Sequence, residues 1–435
     1  MHMLLLQSID KIIAGVSVLA YEPEWNSCGQ IMPNDPAGPA YIYTRNPGSP
    51  DIQNLQEGGE DLPTISLCMI VRNEENSLGR CLSSVADLVD EIVIVDTGST
   101  DRTKEIAAGY GARLYDFEWI QDFAAARNYS FSHAACEYMM WLDADDVIEE
   151  IDRERFKALK ASMASGYHAV SMTYVLSTDE NGKAMYSFRR NRLFRRDCGF
   201  QWKGAVHEFM EVTLPVLESD VCVTHKKDKE YTERNLDIYR KMIADNTPFT
   251  ARDRLYYANE LYDHGYYRDA LENYERFLAD GLGWIEDNIQ ACTRLADSHG
   301  ALEQKEKQLQ ALCRSFEYDL PRPGVCCKIG YYFMDLQQYE QAVYWFNQAT
   351  SLPNKGEPGT EEYSAGTWLP NLQLCVCYDK LGDHKLADYC NEVSFAQYPA
   401  NPSAIYNRNY YTNLLGDKHI EINNFVLQAQ KELVQ

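Results

Sequence analysis

Long hydrophobic runs are missing from this 435-residue sequence. The mildly apolar start, MLLLQSIDKIIAGVSVLAYE, is interrupted by Asp10 and Lys11 and has no basic region ahead of it, so neither a signal peptide nor a membrane anchor is expected. Positive charge is also scarce. Lys and Arg number 41 against 65 Asp and Glu, a formal charge of −24, which argues against general binding of nucleic acid or of an anionic membrane by the whole surface. Paired CxxC motifs are absent too. The thirteen cysteines are odd in number and irregularly spaced, as at Cys326-Cys327 and Cys375/Cys377, so no zinc site is framed and reduced thiols in a cytoplasmic protein are expected. Apolar and aromatic residues are plentiful: 45% of the chain is hydrophobic and thirty residues are tyrosine, which fits a folded chain with more than one core.

The texture changes along the chain. Residues 1–62 read as an N-terminal extension and linker punctuated by Pro23, Pro33, Pro36, Pro39, Pro47 and Pro50. Residues 63–230 read as an α/β domain. TISLCMIV is a short apolar run, RNEENSLGRCLSSVADL is helix-like, and EIVIVD is a second β-branched run; strand, helix, strand at this spacing is a parallel βαβ unit. A turn with Ser99 or Thr100 as helix cap follows, then a strand in ARLYDFEW, a helix in DFAAARNYSFSHA and a strand in EYMMW. Residues 231–435 read as paired helices. Ala270, Tyr274 and Phe277 match Ala342, Phe346 and Ala349, and Ala387 falls at the same small position. The offset of 72 residues between Ala270 and Ala342 is roughly two tetratricopeptide periods, with a degenerate unit at 289–320 between them.

The chemistry-bearing string is Trp141-Leu142-Asp143-Ala144-Asp145-Asp146, which closes an apolar strand. Carboxylates at i and i+2 beside a strand end, here Asp143 and Asp145, can both reach a hard divalent cation that shares its coordination sphere with phosphate oxygens. Asp96 ends another strand and Asn73-Glu74 follows the first, so three strand ends converge on the edge where open α/β sheets bind ligands.

MIVRNEE, VDTGSTDRT, DFAAARN and WLDADD, in this order and spacing, resemble the family 2 glycosyltransferases over residues 63 to about 230. The resemblance implies a GT-A, Rossmann-like fold, a UDP-sugar donor such as UDP-glucose or UDP-GlcNAc, and Mn2+ or Mg2+. It implies that the backbone at Val71 and Arg72 and the carboxylate of Asp96 hold the uracil ring, and that Asn73, Glu74, Ala144 and Trp202 belong to the same nucleotide-sugar set. Asp122 and Arg127 lie where the family's nucleotide-contacting helix lies, although Arg127 also reads as a surface salt bridge. Asp143 would touch ribose or metal, and Asp145 would bind the metal. In SFRRNRLFRRDCGFQWKGAVHEFMEV, Arg195 or Arg192 is expected to neutralise the departing diphosphate, with half of the basic cluster merely solvated because strand residues alternate. His207 and Glu208 fall in the segment that carries the family's acceptor-side base, and on a strand only one of the two would enter the site; a core histidine is the alternative for His207. His225 falls where related enzymes supply a last metal ligand, an imidazole better suited to manganese than to magnesium.

Neither transmembrane helices nor a QxxRW motif accompanies this domain, which points away from a processive polysaccharide synthase. A family 2 domain followed by tetratricopeptide-like repeats resembles the glycosyltransferases of glycocin bacteriocins, which modify Cys or Ser of a small peptide. That layout implies a peptide or protein acceptor held on the repeats. A polysaccharide or lipid-linked acceptor and a catalytically inactive repeat scaffold are the competing readings, and a homodimer stays open.

Overall fold

The computed structural model describes residues 62–163, 166–178, 184–227, 232–353 and 361–434. Asp61–Gln435 form one compact unit, and the expected extension and linker lie outside the described residues apart from Leu62. Ten strands occur among the described residues: β1 (Ile65–Val71), β2 (Glu91–Asp96), β3 (Arg113–Asp116), β4 (Tyr138–Trp141), β5 (Asp146–Val147), β6 (Ala169–Thr178), β7 (Ala184–Arg195), β8 (Trp202–Lys203), β9 (Phe209–Met210) and β10 (Val216–His225). Eight form a mixed sheet in the order β3-β2-β1-β4-β7-β6-β10-β5.

The chain runs outward from β1 through β2 to β3, all parallel, and returns to β4 on the other side of β1, also parallel. That reversal opens a crevice at the carboxyl ends of β1 and β4. Helices cover the sheet, so β1 is buried almost throughout, and its sequence is a continuous apolar run rather than an alternating one. On the far side of β4, β7 runs antiparallel to both β4 and β6. This is the GT-A architecture.

Two local expectations change. The helix after β1 begins only at Leu78, because Asn73 takes a left-handed φ of 52° and its side chain accepts from the Thr100 N–H. Ser99 Oγ in turn accepts from the Asn73 N–H. Ser99 and Thr100 are thereby committed to the β1 loop, and neither caps a helix; the next helix starts at Thr103, whose N–H is taken by Asp101.

Beyond β10 the structure is helical from Arg234 onward, in tetratricopeptide-like pairs: Ala251–Asp263 with Tyr267–Asp280, Ile285–Ala301 with Lys305–Arg314, Pro323–Asp335 with Tyr339–Ser351, and Trp368–Lys380 with His384–Gln397. Each pair turns through three residues, and the middle one, Gly265, Glu303, Gln337 or Gly382, has positive φ. Ala270, Ala342 and Ala387 are fully buried at the fourth position of their helices. In the degenerate unit Gln308 stands there, and the room comes from the facing helix: a Cβ on Gly300 would lie 2.8 Å from the Gln308 amide nitrogen.

Gly330 has a comparable task, since a Cβ there would lie 2.7–2.9 Å from three ring carbons of Phe346, which is fully buried in the partner helix. Gly330→Ala gains helix propensity but overpacks this contact, and a net destabilisation of about 1–2 kcal/mol is expected. Urea unfolding of the two proteins measures it; an unchanged or raised midpoint would show that the ring can move.

Candidate active site

After Trp141 the chain reverses, so that β5 pairs antiparallel with the end of β10 and His225 stands opposite Asp146. This rung sets His225 Nδ1 at 3.6 Å from a carboxylate oxygen of Asp145 and at the same distance from Asp146 Oδ1. Asp146 is fully buried, with its other oxygen 3.0 Å from Arg192 Nη1 and accepting from the Asp143 N–H at 3.0 Å. His225 Nδ1 and Asp146 Oδ1 are buried and have no hydrogen-bond partner among the described residues. Leaving such atoms unsatisfied is costly, and a divalent cation taking one atom from each of Asp145, Asp146 and His225 would satisfy them; the three donor atoms lie within 4.8 Å of one another. The donor set therefore fits a metal. Burial, together with the like charges of Asp143 and Asp146, pushes the Asp145 carboxyl up to about 6, and the Asp146 carboxylate beside His225 raises the imidazole above its ordinary value.

Asp143 faces another way. Its Oδ1 lies 2.8 Å from Arg127 Nη2, and Arg127 Nε lies 2.5 Å from Glu208 Oε1. The guanidinium is buried between Trp141 and Trp202, 4.6 and 5.2 Å from their ring centroids, so Arg127 is not a surface salt bridge. Burial opposes ionisation of Asp143, but Arg127 and then Arg192 outweigh it and hold the carboxyl down to about 2.

A cavity of about 720 Å³ opens above these residues, bordered by Val71, Arg72, Glu74, Arg127, Asp143, Ala144, Asp145, Trp202, His207, Glu208 and His225. His207 and Glu208 both border it, contrary to the strand alternation expected. Only Trp202-Lys203 and Phe209-Met210 are paired as strands, and in the turn between them His207 has a φ of 51°, so successive side chains share a side.

Four expected nucleotide-sugar residues stand off the cavity wall. Asn73 clamps the 99–100 loop. Asp122 caps the helix Phe123–Ser132 by accepting from Ala125 N. Asp96 is buried, with Oδ1 accepting from Gly98 and Ser99 N–H and Oδ2 without a hydrogen-bond partner among the described residues. Arg195 pairs with Asp197 at 2.9 Å; because β7 is antiparallel to β4, it sits opposite Tyr138, at the end of β4 away from the acidic cluster. Arg192 is consumed by Asp146, and two other members of the basic cluster border the cavity: Arg189, which donates to the Ser171 and Ser219 carbonyls, and Arg190, stacked near Phe188, Tyr174 and Trp141.

The family model for glycosyl transferase family 2 matches residues 66–214. A TPR repeat-containing protein of Synechococcus elongatus is 31% identical over 343 residues, covering 74% of this chain and 75% of that one. The chain belongs to the family 2 glycosyltransferases. The SPbeta prophage-derived glycosyltransferase SunS of Bacillus subtilis is 26% identical over 72% of this chain and 76% of its own. The lipopolysaccharide core biosynthesis glycosyltransferase LpsC of Rhizobium meliloti is 28% identical over 33% of this chain and 56% of its own.

Sequence reasoning overlooked several residues of this glycosyltransferase's cavity. Asp146 was in plain view, adjoining the DxD triplet, but only the β5–β10 pairing selects it. Arg234, Asn235, Arg252 and Tyr256 also border the cavity, and they come from helices assigned to the repeat half. The spacing of Arg252 and Tyr256 along one helix was the available signal.

A cation on this cluster competes with the proton on Asp145. Mn2+ affinity of the glycosyltransferase, measured by calorimetry, is expected to fall as the pH drops through neutrality, where the imidazole of His225 takes up its proton, and to fall by about a further tenfold per unit below about 6, as the Asp145 carboxyl becomes neutral. An affinity independent of pH from 7 to 5 would remove Asp145 from the ligand set.

Proposed function

We propose that this glycosyltransferase moves a sugar, with inversion, from a UDP-sugar to a Cys, Ser or Thr side chain of a peptide or protein held by the repeat half. The observation that carries the reading is the composition of one cavity: a fitted metal cluster on the sheet side, and Arg252 and Tyr256 from the first repeat helix on the other. An acceptor lying on the repeats would thus meet the donor directly. The layout shared with glycocin glycosyltransferases supports a peptide, and the acidic balance of the chain, −24, favours a basic one.

In this reading Asp145, Asp146 and His225 hold Mn2+ or Mg2+, and Asp143 stays with Arg127. The ion, when bound, supplies positive charge to the diphosphate as it leaves. Asp96 Oδ2, buried behind the Thr97 that borders the cavity and without a hydrogen-bond partner among the described residues, is the acceptor for the imide N–H of uracil. Arg190 and Arg234, which have no carboxylate within ion-pair distance among the described residues and are stacked on aromatic rings, lend fixed positive charge to the diphosphate. Displacement at the anomeric carbon also requires a proton acceptor for the incoming thiol or hydroxyl, and His207 and Glu208 are the candidates in reach. No helix among the described residues is long and apolar enough to cross a membrane, and the described cysteines are all free, in keeping with a cytoplasmic enzyme.

Hydrolysis of UDP-glucose and UDP-GlcNAc with and without Mn2+ tests the site. The expected result is metal-dependent turnover that falls by about 100-fold or more in Asp145→Ala; equal, metal-independent rates in both proteins would sink the assignment. For the acceptor, a short cysteine-rich peptide encoded beside the gene should gain a hexose-sized mass on incubation with enzyme and donor. Transfer to a lipid-linked or polysaccharide acceptor instead, with no peptide product, would move the acceptor class.

A further inference from the structure

We propose that Glu260, on the first repeat helix, is a positioning residue that fixes the imidazole of His207 as the proton acceptor of the transfer reaction. The proposal rests on the glycosyltransfer reading above and selects His207 over Glu208.

Arg252, Tyr256 and Glu260 follow one another at intervals of four residues in the helix Ala251–Asp263, so they form one stripe along it. All three touch His207. Arg252 Nη2 donates to the His207 carbonyl at 3.3 Å, the Tyr256 ring lies 4.5 Å from the imidazole centroid, and Glu260 Oε1 lies 2.7 Å from Nε2. The same oxygen accepts from Asn235 Nδ2 at 3.0 Å. His207 is held besides in a left-handed backbone conformation that a non-glycine residue adopts only under constraint.

Glu260 is 2% exposed. A carboxylate that deep in the fold requires donors, so Nε2 of His207 carries the proton and donates it, which leaves the lone pair on Nδ1. Glu208 is already committed to Arg127 at 2.5 Å. The step then balances. The thiol or hydroxyl of the acceptor gives its proton to His207 Nδ1, its sulfur or oxygen lone pair forms the bond to the anomeric carbon, and the bond from that carbon to the diphosphate oxygen breaks with its electrons leaving on UDP. The resulting imidazolium faces the Glu260 carboxylate and later loses its proton to water.

The test uses the full chain and the variants Glu260→Gln, Glu260→Asp, His207→Ala and the Glu260→Gln/His207→Ala pair, each checked for an unaltered melting profile. With UDP-glucose and Mn2+, and water as the acceptor, Glu260→Gln is expected to lower kcat about 10- to 100-fold with little change in KM. Glu260→Asp should recover part of the loss, and the double variant should be no slower than His207→Ala alone. Nitrogen-15 spectra of the histidine side chains, assigned with His207→Ala, should report a ring protonated only at Nε2 in the parent and a tautomer mixture in Glu260→Gln. An unimpaired kcat in Glu260→Gln, or additive losses in the double variant, would overturn the proposal. If the parent protein turns over neither UDP-glucose nor UDP-GlcNAc, the donor reading fails separately and the spectra decide: a single Nε2–H tautomer that depends on Glu260 supports the fixed acceptor, and a mixed or Nδ1–H ring refutes it.

Discussion

Negative charge crowded at the carboxyl end of β4 is the constraint around which this molecule is arranged. Asp143, Asp145, Asp146 and Glu208 converge there, and carboxylates removed from water repel one another unless cations and donors meet them. Two buried guanidiniums answer the demand from opposite directions: Arg127 on the helix before β4 takes Asp143 and Glu208, and Arg192 on β7 takes Asp146. Trp141 receives both cations on its ring, Arg192 at 4.0 Å and Arg127 at 4.6 Å from the centroid, while its indole N–H donates to the Asn191 carbonyl. The unmet remainder lies at Asp145, Asp146 Oδ1 and His225 Nδ1, which is where a metal fits. Salt bridges this buried add little net stability, but removing one partner strands the other, so the site and the sheet edge stand or fall together.

The second feature is continuity between the sheet and the helices. Sequence texture divides the chain near residue 230, yet Asp61–Gln435 form one compact unit, and the turn that carries His207 and Glu208 is gripped by a stripe from the first repeat helix. Repeat arrays ordinarily serve as surfaces on which something is held. Here the first unit also borders the cavity beside the acidic cluster, so both halves of the chain shape its wall. That arrangement gives a physical reason for a catalytic domain to be followed immediately by repeats instead of being tethered to them.

Much of this was legible in the sequence, and the misses share a cause. The apolar runs before Asn73, Asp96 and Asp143 became β1, β2 and β4, because burial on both faces requires unbroken apolar segments. Ala270, Ala342 and Ala387 marked the close approach of paired helices because only a small side chain fits there, and where Gln308 breaks the pattern Gly300 makes room. Ser99 and Thr100 were read as caps from their neighbours along the chain, but they bond to Asn73, a residue contributed by a different loop. Arg195 was placed at the diphosphate by proximity in sequence, whereas the antiparallel register of β7 against β4 carries it to the opposite end and leaves Arg190 at the cavity.

Short-range pattern therefore determined that this chain has a largely parallel α/β sheet with acids at its strand ends and paired helices behind it, since periodicity and strand-end chemistry are properties of contiguous residues, and the motif resemblance implied the GT-A form of that sheet. Tertiary structure alone decided which carboxylates gather around His225, which arginines are spent on buried carboxylates and which helix holds His207. Those outcomes depend on strand register and helix docking, and they join residues as far apart as Asp146 and His225 or His207 and Glu260, whose pairing no local pattern records.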